Sequence, residues 1–270
     1  MASPDPGLLS LNTATVKKQW TLAQAIDGCA RHGIRGIAPW RDKLAEMGVK
    51  QAARAIKANG LTVTGLCRGG FFTAKDWLDD NRRAIEEAHE LGAQCLVLVV
   101  GGLPEGSKDL FSAREHVKDA ISKILPEARK AGVPLAIEPL HPMQAAERAC
   151  INTLEQSLDI CDALGVGIGV AVDVYHIWWD PKLEHQIRRA GKKRILGYHI
   201  CDWLVPTRDL LNDRGMMGDG VIDLPRIRSW VEGVGYSGFH EVEIFSDLDW
   251  WQRDADEVLR TCRDRYLSAS

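Results

Sequence analysis

The 270-residue chain is short of the features that mark secreted, membrane or nucleic-acid-binding proteins. Its seven cysteines (Cys29, Cys67, Cys95, Cys150, Cys161, Cys201 and Cys262) are odd in number, scattered, and form no C-x-x-C pair. Disulfide frameworks use even counts and dense spacing, so this usage predicts a reducing, cytoplasmic setting. The opening MASPDPGLLSLNTATVKKQW has no basic stretch before an apolar core and no A-x-A site, so no leader is expected there. The longest apolar run, Cys95 to Val100, is far below a bilayer-spanning length. Thirty-four Lys and Arg against 37 Asp and Glu give a net charge of −3. That balance excludes a basic nucleic-acid footprint and a polybasic membrane patch. No strand-like run is followed by G-x-G-x-x-G, which removes the dinucleotide-binding reading.

What is present is a rhythm. Eight β-rich runs alternate with amphipathic helical stretches: 8–14, 36–40, 62–67, 95–100, 134–139, 168–175, 195–201 and 239–245. Several helical patterns end in glycine (Gly33, Gly60, Gly92, Gly132, Gly165, Gly191, Gly235), and Thr21, Ser112, Thr153 and Asp223 supply start signals. Eight units at about 34 residues each match a βα repeat, and alternation of β with α forces a parallel sheet. The expected fold is a single-domain (β/α)8 TIM barrel spanning 1–270, with an open doubly wound sheet as the alternative. Such barrels fill about 250 residues and carry their chemistry at the C-terminal strand ends.

Acidic residues inside otherwise apolar strands therefore mark a site. In LAIEPL, Ile137 faces the helices and Glu138 faces inward; in GVAVDVYH, Asp173 faces inward. His199 in LGYHICD, and Glu241 and Glu243 in HEVEIFS, do the same. Buried carboxylates repel one another and resist desolvation. Either each is satisfied separately by core hydrogen bonds, or a divalent cation gathers them. Oxygen donors with one imidazole suit Mn2+ first, with Mg2+, Co2+ and Zn2+ fitting the same set.

This pattern resembles the xylose-isomerase-like barrels, commonly labelled sugar phosphate isomerases/epimerases, over nearly the whole chain and most closely from Glu138 to Ser246. The resemblance implies metal ligation by Glu138 (IEPLHP), Asp173 (VDVYH), His199 (YHICDW) and Glu243 (EVEIFS), with Glu138 and Glu243 also exchanging protons with substrate. It further implies substrate contacts from His176 and from Arg214 in DRGMMGDG.

Other residues fall at the strand ends. His141 beside Glu138 is a candidate for proton transfer. Asp202 could orient a ligand or bind sugar hydroxyls, and DRGMMGDG could form a nest of N–H groups for an anion. Trp40, Trp178, Trp179, Trp203, Trp250 and Trp251 are rim aromatics, with Trp40 and Trp203 the expected substrate contacts. Arg41 and Arg68 end strands two and three. Trp20, Trp77 and Trp230 look like helix-packing residues, and His32, His89, His116 and His185 like surface ones.

A metal beside a carbonyl and its neighbouring hydroxyl acidifies the intervening C–H. Returning that proton isomerises or epimerises; expelling a β-substituent eliminates. The segment EPLHPM and the Trp-rich rim resemble the catalytic subunits of bacterial C-glycoside deglycosidases. That resemblance implies cleavage of 3-keto-glycosides and a small β-sandwich partner subunit in an oligomer. Isomerisation or epimerisation of a sugar or sugar phosphate is the alternative, and either reading gives a small carbohydrate or glycoside as ligand. An apurinic endonuclease would need more ligand histidines and a basic DNA face; a dead scaffold would not keep four candidate ligands.

Overall fold

The structure, a computed structural model, describes residues 3–270. Strand β1 (Leu9–Asn12) leads to helix α1 (Leu22–Arg31), and β2 (Gly36–Ala38) to α2 (Arg41–Met47) and α3 (Val49–Ala58). Next come β3 (Thr62–Val63), β4 (Leu66–Gly70), α4 (Trp77–Leu91), β5 (Leu96–Val99) and α5 (Leu110–Ala131). Strand β6 (Leu135–Ile137) precedes α6 (Leu154–Leu164), and β7 (Ile168–Asp173) precedes α7 (Val174–Ile177) and α8 (Leu183–Arg194). The chain closes with β8 (Ile195–Ile200), the rim pair β9 (Asp202–Trp203) and β10 (Arg214–Gly215), α9 (Leu224–Gly233), β11 (His240–Val242) and α10 (Ala255–Ala269).

Nine strands form one parallel sheet in the order β3-β2-β1-β11-β8-β7-β6-β5-β4. Its two ends, β3 and β4, are consecutive pieces of the third β-rich run, so the sheet curls into a barrel. The run expected as one strand over 62–67 is thus two. The physical reason is a change of partner: Thr64 N still bonds Ile37 O at 3.0 Å, whereas Leu66 N bonds Cys95 O at 3.0 Å. A parallel bridge between Trp40 and Cys67 spans the junction. The barrel expectation holds, and the open sheet is excluded.

Local signals explain the helices. Thr21 and Gln24 form a capping box at α1, whose buried residues Leu22, Ala25, Ile26 and Cys29 follow the i, i+3, i+4, i+7 stripe. Thr153 and Asp223 cap α6 and α9 as expected. At α5 the cap is Asp109, not Ser112: its carboxylate accepts from Ser112 N at 3.0 Å and from the Ser112 hydroxyl at 2.7 Å. The acidic side chain one turn earlier takes the orphan N–H. Gly92 and Gly132 end α4 and α5 in the left-handed conformation that a β-carbon disfavours.

The outer faces of the strands pack under the helices, burying Ile137, Val172, Tyr198, Ile200, Val242 and Ile244. Alternation then turns their neighbours into the barrel. All seven cysteines are buried free thiols. No helix among the described residues is long and apolar enough to cross a membrane.

Candidate metal centre and active-site cavity

Four consecutive barrel strands deliver one ionisable side chain each. Glu138 follows β6, Asp173 ends β7, His199 lies in β8 and Glu243 follows β11. One donor atom from each lies within 4.8 Å of the other three, and the residues are 5%, 0%, 1% and 3% exposed. Donors at about 2.0–2.4 Å from one ion fall within such a spread. The register supports the convergence: His199 pairs with Asp173 on one side and Glu241 on the other.

Core hydrogen bonds do not account for this cluster. Glu138 Oε1 and His199 Nδ1 are 3.0 Å apart, yet both atoms are buried without a hydrogen-bond partner. Arg214 Nη1 lies 3.0 Å from Asp173 Oδ2 and 3.1 Å from Glu243 Oε2. Three carboxylates gathered around one guanidinium and one imidazole resist sharing a buried site, and either protons on His199 and Glu243 or a divalent cation offset them. The donor set fits a hard or borderline divalent ion.

Beneath it, Glu241 is fully engaged. Asn12 Nδ2 donates to its Oε1 at 2.7 Å and Thr64 Oγ1 to its Oε2 at 2.8 Å. Ser10 Oγ lies 2.8 Å from Thr64 Oγ1, and Trp40 Nε1 donates to Asn12 Oδ1 at 2.7 Å. Glu241 Oε1 is 3.6 Å from His199 Nε2, which leaves Nδ1 facing Glu138 and Glu243. A carboxylate behind a ligand imidazole fixes the ring's orientation and tautomer. Burial alone would lower the His199 pKa, but Glu241, Glu138 and Glu243 raise it well above the ordinary imidazole value. Burial raises Glu243 far above the usual carboxylate range, with Arg214 opposing and Glu138 adding to the rise. Asp173 is held low: burial pushes it up, and Arg214, His176 and His199 outweigh that. Such opposed shifts within one cluster characterise functional sites.

The cluster opens into a narrow cavity whose walls include Trp40, Arg68, Glu138, Arg148, His176, Arg214, Glu243 and Phe245. Of the residues expected to touch substrate, His176, Arg214 and Trp40 therefore line the same space as two of the ligands. His176 Nε2 lies 3.2 Å from Arg214 Nη2, and burial drives its pKa down to about 3, so the ring is neutral.

The remaining expectations are placed differently. His141 stands outside the cavity wall, its ring against Trp203 (centroids 4.9 Å apart) and Trp179 (5.8 Å). Trp203 is buried between His141 and Tyr175. Asp202 corrects its reading as a sugar or ligand contact: its carboxylate accepts from Trp203 N, Gly218 N and Ile222 N at 2.9, 2.9 and 3.0 Å. The glycine-rich turn does present N–H groups to an anion, but the anion is this chain's own. Trp250 and Trp251 are buried within the chain, the latter donating to Ala14 O at 2.8 Å, so neither is a rim contact. Arg41 pairs with Asp80 and Glu87. His89, His116 and His185 are exposed, while His32 is half-buried against Asp256. Arg148 escaped the sequence reading because AAERAC carries no strand-end or motif signal. The tie of Asn12 and Thr64 to Glu241 escaped it because it joins strands far apart in the chain.

The profile of the family described as xylose isomerase-like TIM barrel matches residues 26–263. An inosose isomerase of Bacillus velezensis is 25% identical over 279 residues, covering 95% of this chain and 94% of its own. The crystal structure of protein SMc04130 from Sinorhizobium meliloti 1021 superposes with a TM-score of 0.96 at 61% identity, covering 98% of this chain and 99% of that one. The fold is also that of the IolI protein, whose crystal structure contains a zinc atom; the TM-score is 0.82 at 22% identity, over 97% of both chains. The chain belongs to the xylose isomerase-like TIM barrel family.

Proposed function

We propose that this family member is a divalent-metal-dependent isomerase or epimerase acting on polyhydroxy ketones, an inosose or a ketose. The single observation that carries the reading is the buried convergence of Glu138, Asp173, His199 and Glu243 within 4.8 Å. The end-to-end similarity to an inosose isomerase favours this chemistry over glycoside cleavage. Mn2+ is the first candidate ion, with Zn2+, Mg2+ and Co2+ suited to the same donors.

The four residues would hold the ion, which when bound would polarise a carbonyl and its neighbouring hydroxyl and so acidify the C–H between them. Glu138 and Glu243 border the cavity and can each take or return that proton. Removal by one and return by the other to the opposite face balances an epimerisation. For isomerisation the proton returns to the neighbouring carbon while the hydroxyl proton passes to the former carbonyl oxygen, and neither course needs a co-reactant. Arg214, fixed by Asp173 and Glu243, holds the Glu243 carboxylate and presents its guanidinium to the substrate oxygens. Neutral His176 offers those oxygens an uncharged partner. Trp40 gives the sugar an apolar wall.

A lyase would also need an acid for its leaving group. His141, the candidate, lies against Trp203 and Trp179 rather than in the cavity wall, and burial lowers its pKa. That arrangement supports the isomerase. The test is proton exchange: Mn2+-loaded protein is incubated in D2O with an inosose and a set of ketoses and followed by NMR. Deuterium should enter beside the carbonyl and a new isomer should grow in, both lost in Glu243→Gln. Aglycone release from a 3-keto-glycoside, with no exchange into any ketose or inosose, would restore the lyase.

A further inference from the structure

Arginines near this cavity fall into two kinds. Arg41 and Arg214 are committed to carboxylates, the first to Asp80 and Glu87, the second to Asp173 and Glu243. Arg68, in β4, and Arg148, in the loop after β6, also line the cavity, but neither forms an ion pair or a side-chain hydrogen bond among the described residues, and both Nε atoms, like that of Arg214, are buried without a partner. The acid nearest in field to Arg68, Asp80, is already taken by Arg41 at 2.9 Å and Arg83 at 3.2 Å. Both guanidiniums rest on Phe71, with Cζ 3.7 Å (Arg68) and 5.9 Å (Arg148) from its ring centroid. Phe71 itself has φ 49°, a left-handed backbone conformation costly for an aromatic residue. Burial and the neighbouring Arg148 push the Arg68 pKa down to about 10. Burial, then Arg214, lowers that of Arg148. Two partly desolvated cations beside each other, with unused donors, are unfavourable until an anion arrives.

We infer that Arg68 and Arg148 form an oxyanion subsite, so that the keto-sugar substrate carries a phosphate ester or a carboxylate. The inference rests on the reading of this cavity as a ketose or inosose site and names the substrate class within it. Guanidinium forks match both oxyanions, and Phe71 holds the two forks in place. The metal ligands would then handle the carbonyl, and the arginine pair would select the charged group.

The test uses three unreactive five-carbon probes: xylitol, xylonate and xylitol 5-phosphate. Each is titrated calorimetrically into Mn2+-loaded protein. One of the two anions should bind at least about tenfold tighter than xylitol, as expected for charge-assisted hydrogen bonds. Which anion binds tighter identifies the source of the oxyanion. Arg68→Met with Arg148→Met should abolish that gap while Mn2+ stoichiometry stays at its wild-type value, and Arg68→Lys should keep part of it. Equal binding of all three probes, no binding of either anion, or a gap that survives the double substitution overturns the subsite. Should the double variant fail to fold, the three-probe comparison on the wild type decides alone. The isomerase reading fails separately, by absence of deuterium exchange into any ketose or inosose, charged or neutral.

Discussion

Strands β8 and β11 run side by side, and their two faces treat the same residue type in opposite ways. On the inner face His199 is in register with Glu241; one residue back, on the outer face, Tyr198 is in register with His240. Both histidines are 1% exposed. Among Glu241, Glu138 and Glu243 the His199 imidazole is driven towards its charged form. Among Tyr198, Tyr236 and Tyr266, burial and Arg228 drive His240 down to about 4, so it stays neutral. Burial is shared and pushes both rings towards neutrality; it prevails at His240, whereas the carboxylates around His199 overturn it. The inner face is built to favour positive charge, and a proton, Arg214 and a divalent ion all answer that demand.

The strongest attack on this comparison removes an inner-face carboxylate. Glu243→Gln or Asp173→Asn should weaken divalent-ion binding by more than about a hundredfold, beyond the usual effect of outer-shell partners, and abolish deuterium exchange. Competition with a metal-indicator dye measures the first and NMR the second.

Arg214→Met asks what the carboxylates do without their resident cation. In metal-free protein it leaves Asp173 and Glu243 facing each other unpaired, a loss of about 3–5 kcal/mol in urea unfolding. Saturating Mn2+ should restore part of that loss. Equal losses with and without Mn2+ would show that the ion and the guanidinium do not share the same field.

The outer face is tested by pH. His240 has a folded pKa of about 4 against an unfolded value of about 6.5. A depressed imidazole pKa gives stability that is present above about pH 6.5 and lost as pH falls through the window to about 4, up to about 3 kcal/mol. His240→Gln should flatten the acid side of the stability curve by that amount, and unfolding midpoints between pH 7 and pH 4 measure it. An unchanged curve would contradict the outer-face account.

The smallest effect belongs to the layer behind the ligands. Glu241→Gln keeps the contact with Thr64 but removes the charge behind His199 Nε2. Divalent-ion affinity should fall about 10–100-fold, the range for carboxylates behind a ligand imidazole. Calorimetric Mn2+ titration reads it.

Much of this was legible beforehand for a definite reason. Period-two alternation forces Glu138, Asp173, His199, Glu241 and Glu243 inward once Ile137, Val172, Tyr198 and Val242 are committed to the helices. Glycine punctuation gave the eight units because left-handed caps leave few other choices. The break in the third strand had one mark, the isolated Gly65 inside an otherwise β-rich run, but a glycine there fits a bulge or bend as well as the change of hydrogen-bond partner that the fold shows. The reading of Asp202 failed because a carboxylate beside a site looks the same whether it meets a sugar or three backbone N–H groups. Arg68 was visible at a strand end, but its lack of a partner depends on Asp80 being claimed by Arg41, a three-body fact that only the fold contains.

We propose that the inner face holds one divalent ion on Glu138, Asp173, His199 and Glu243. Anomalous diffraction from crystals grown with Mn2+, recorded at the manganese edge, tests it most directly. One peak per chain is predicted, bonded to Glu138, Asp173, His199 and Glu243, and absent from Glu243→Gln crystals. A barrel interior with no peak, or a peak away from these four residues, would contradict the account.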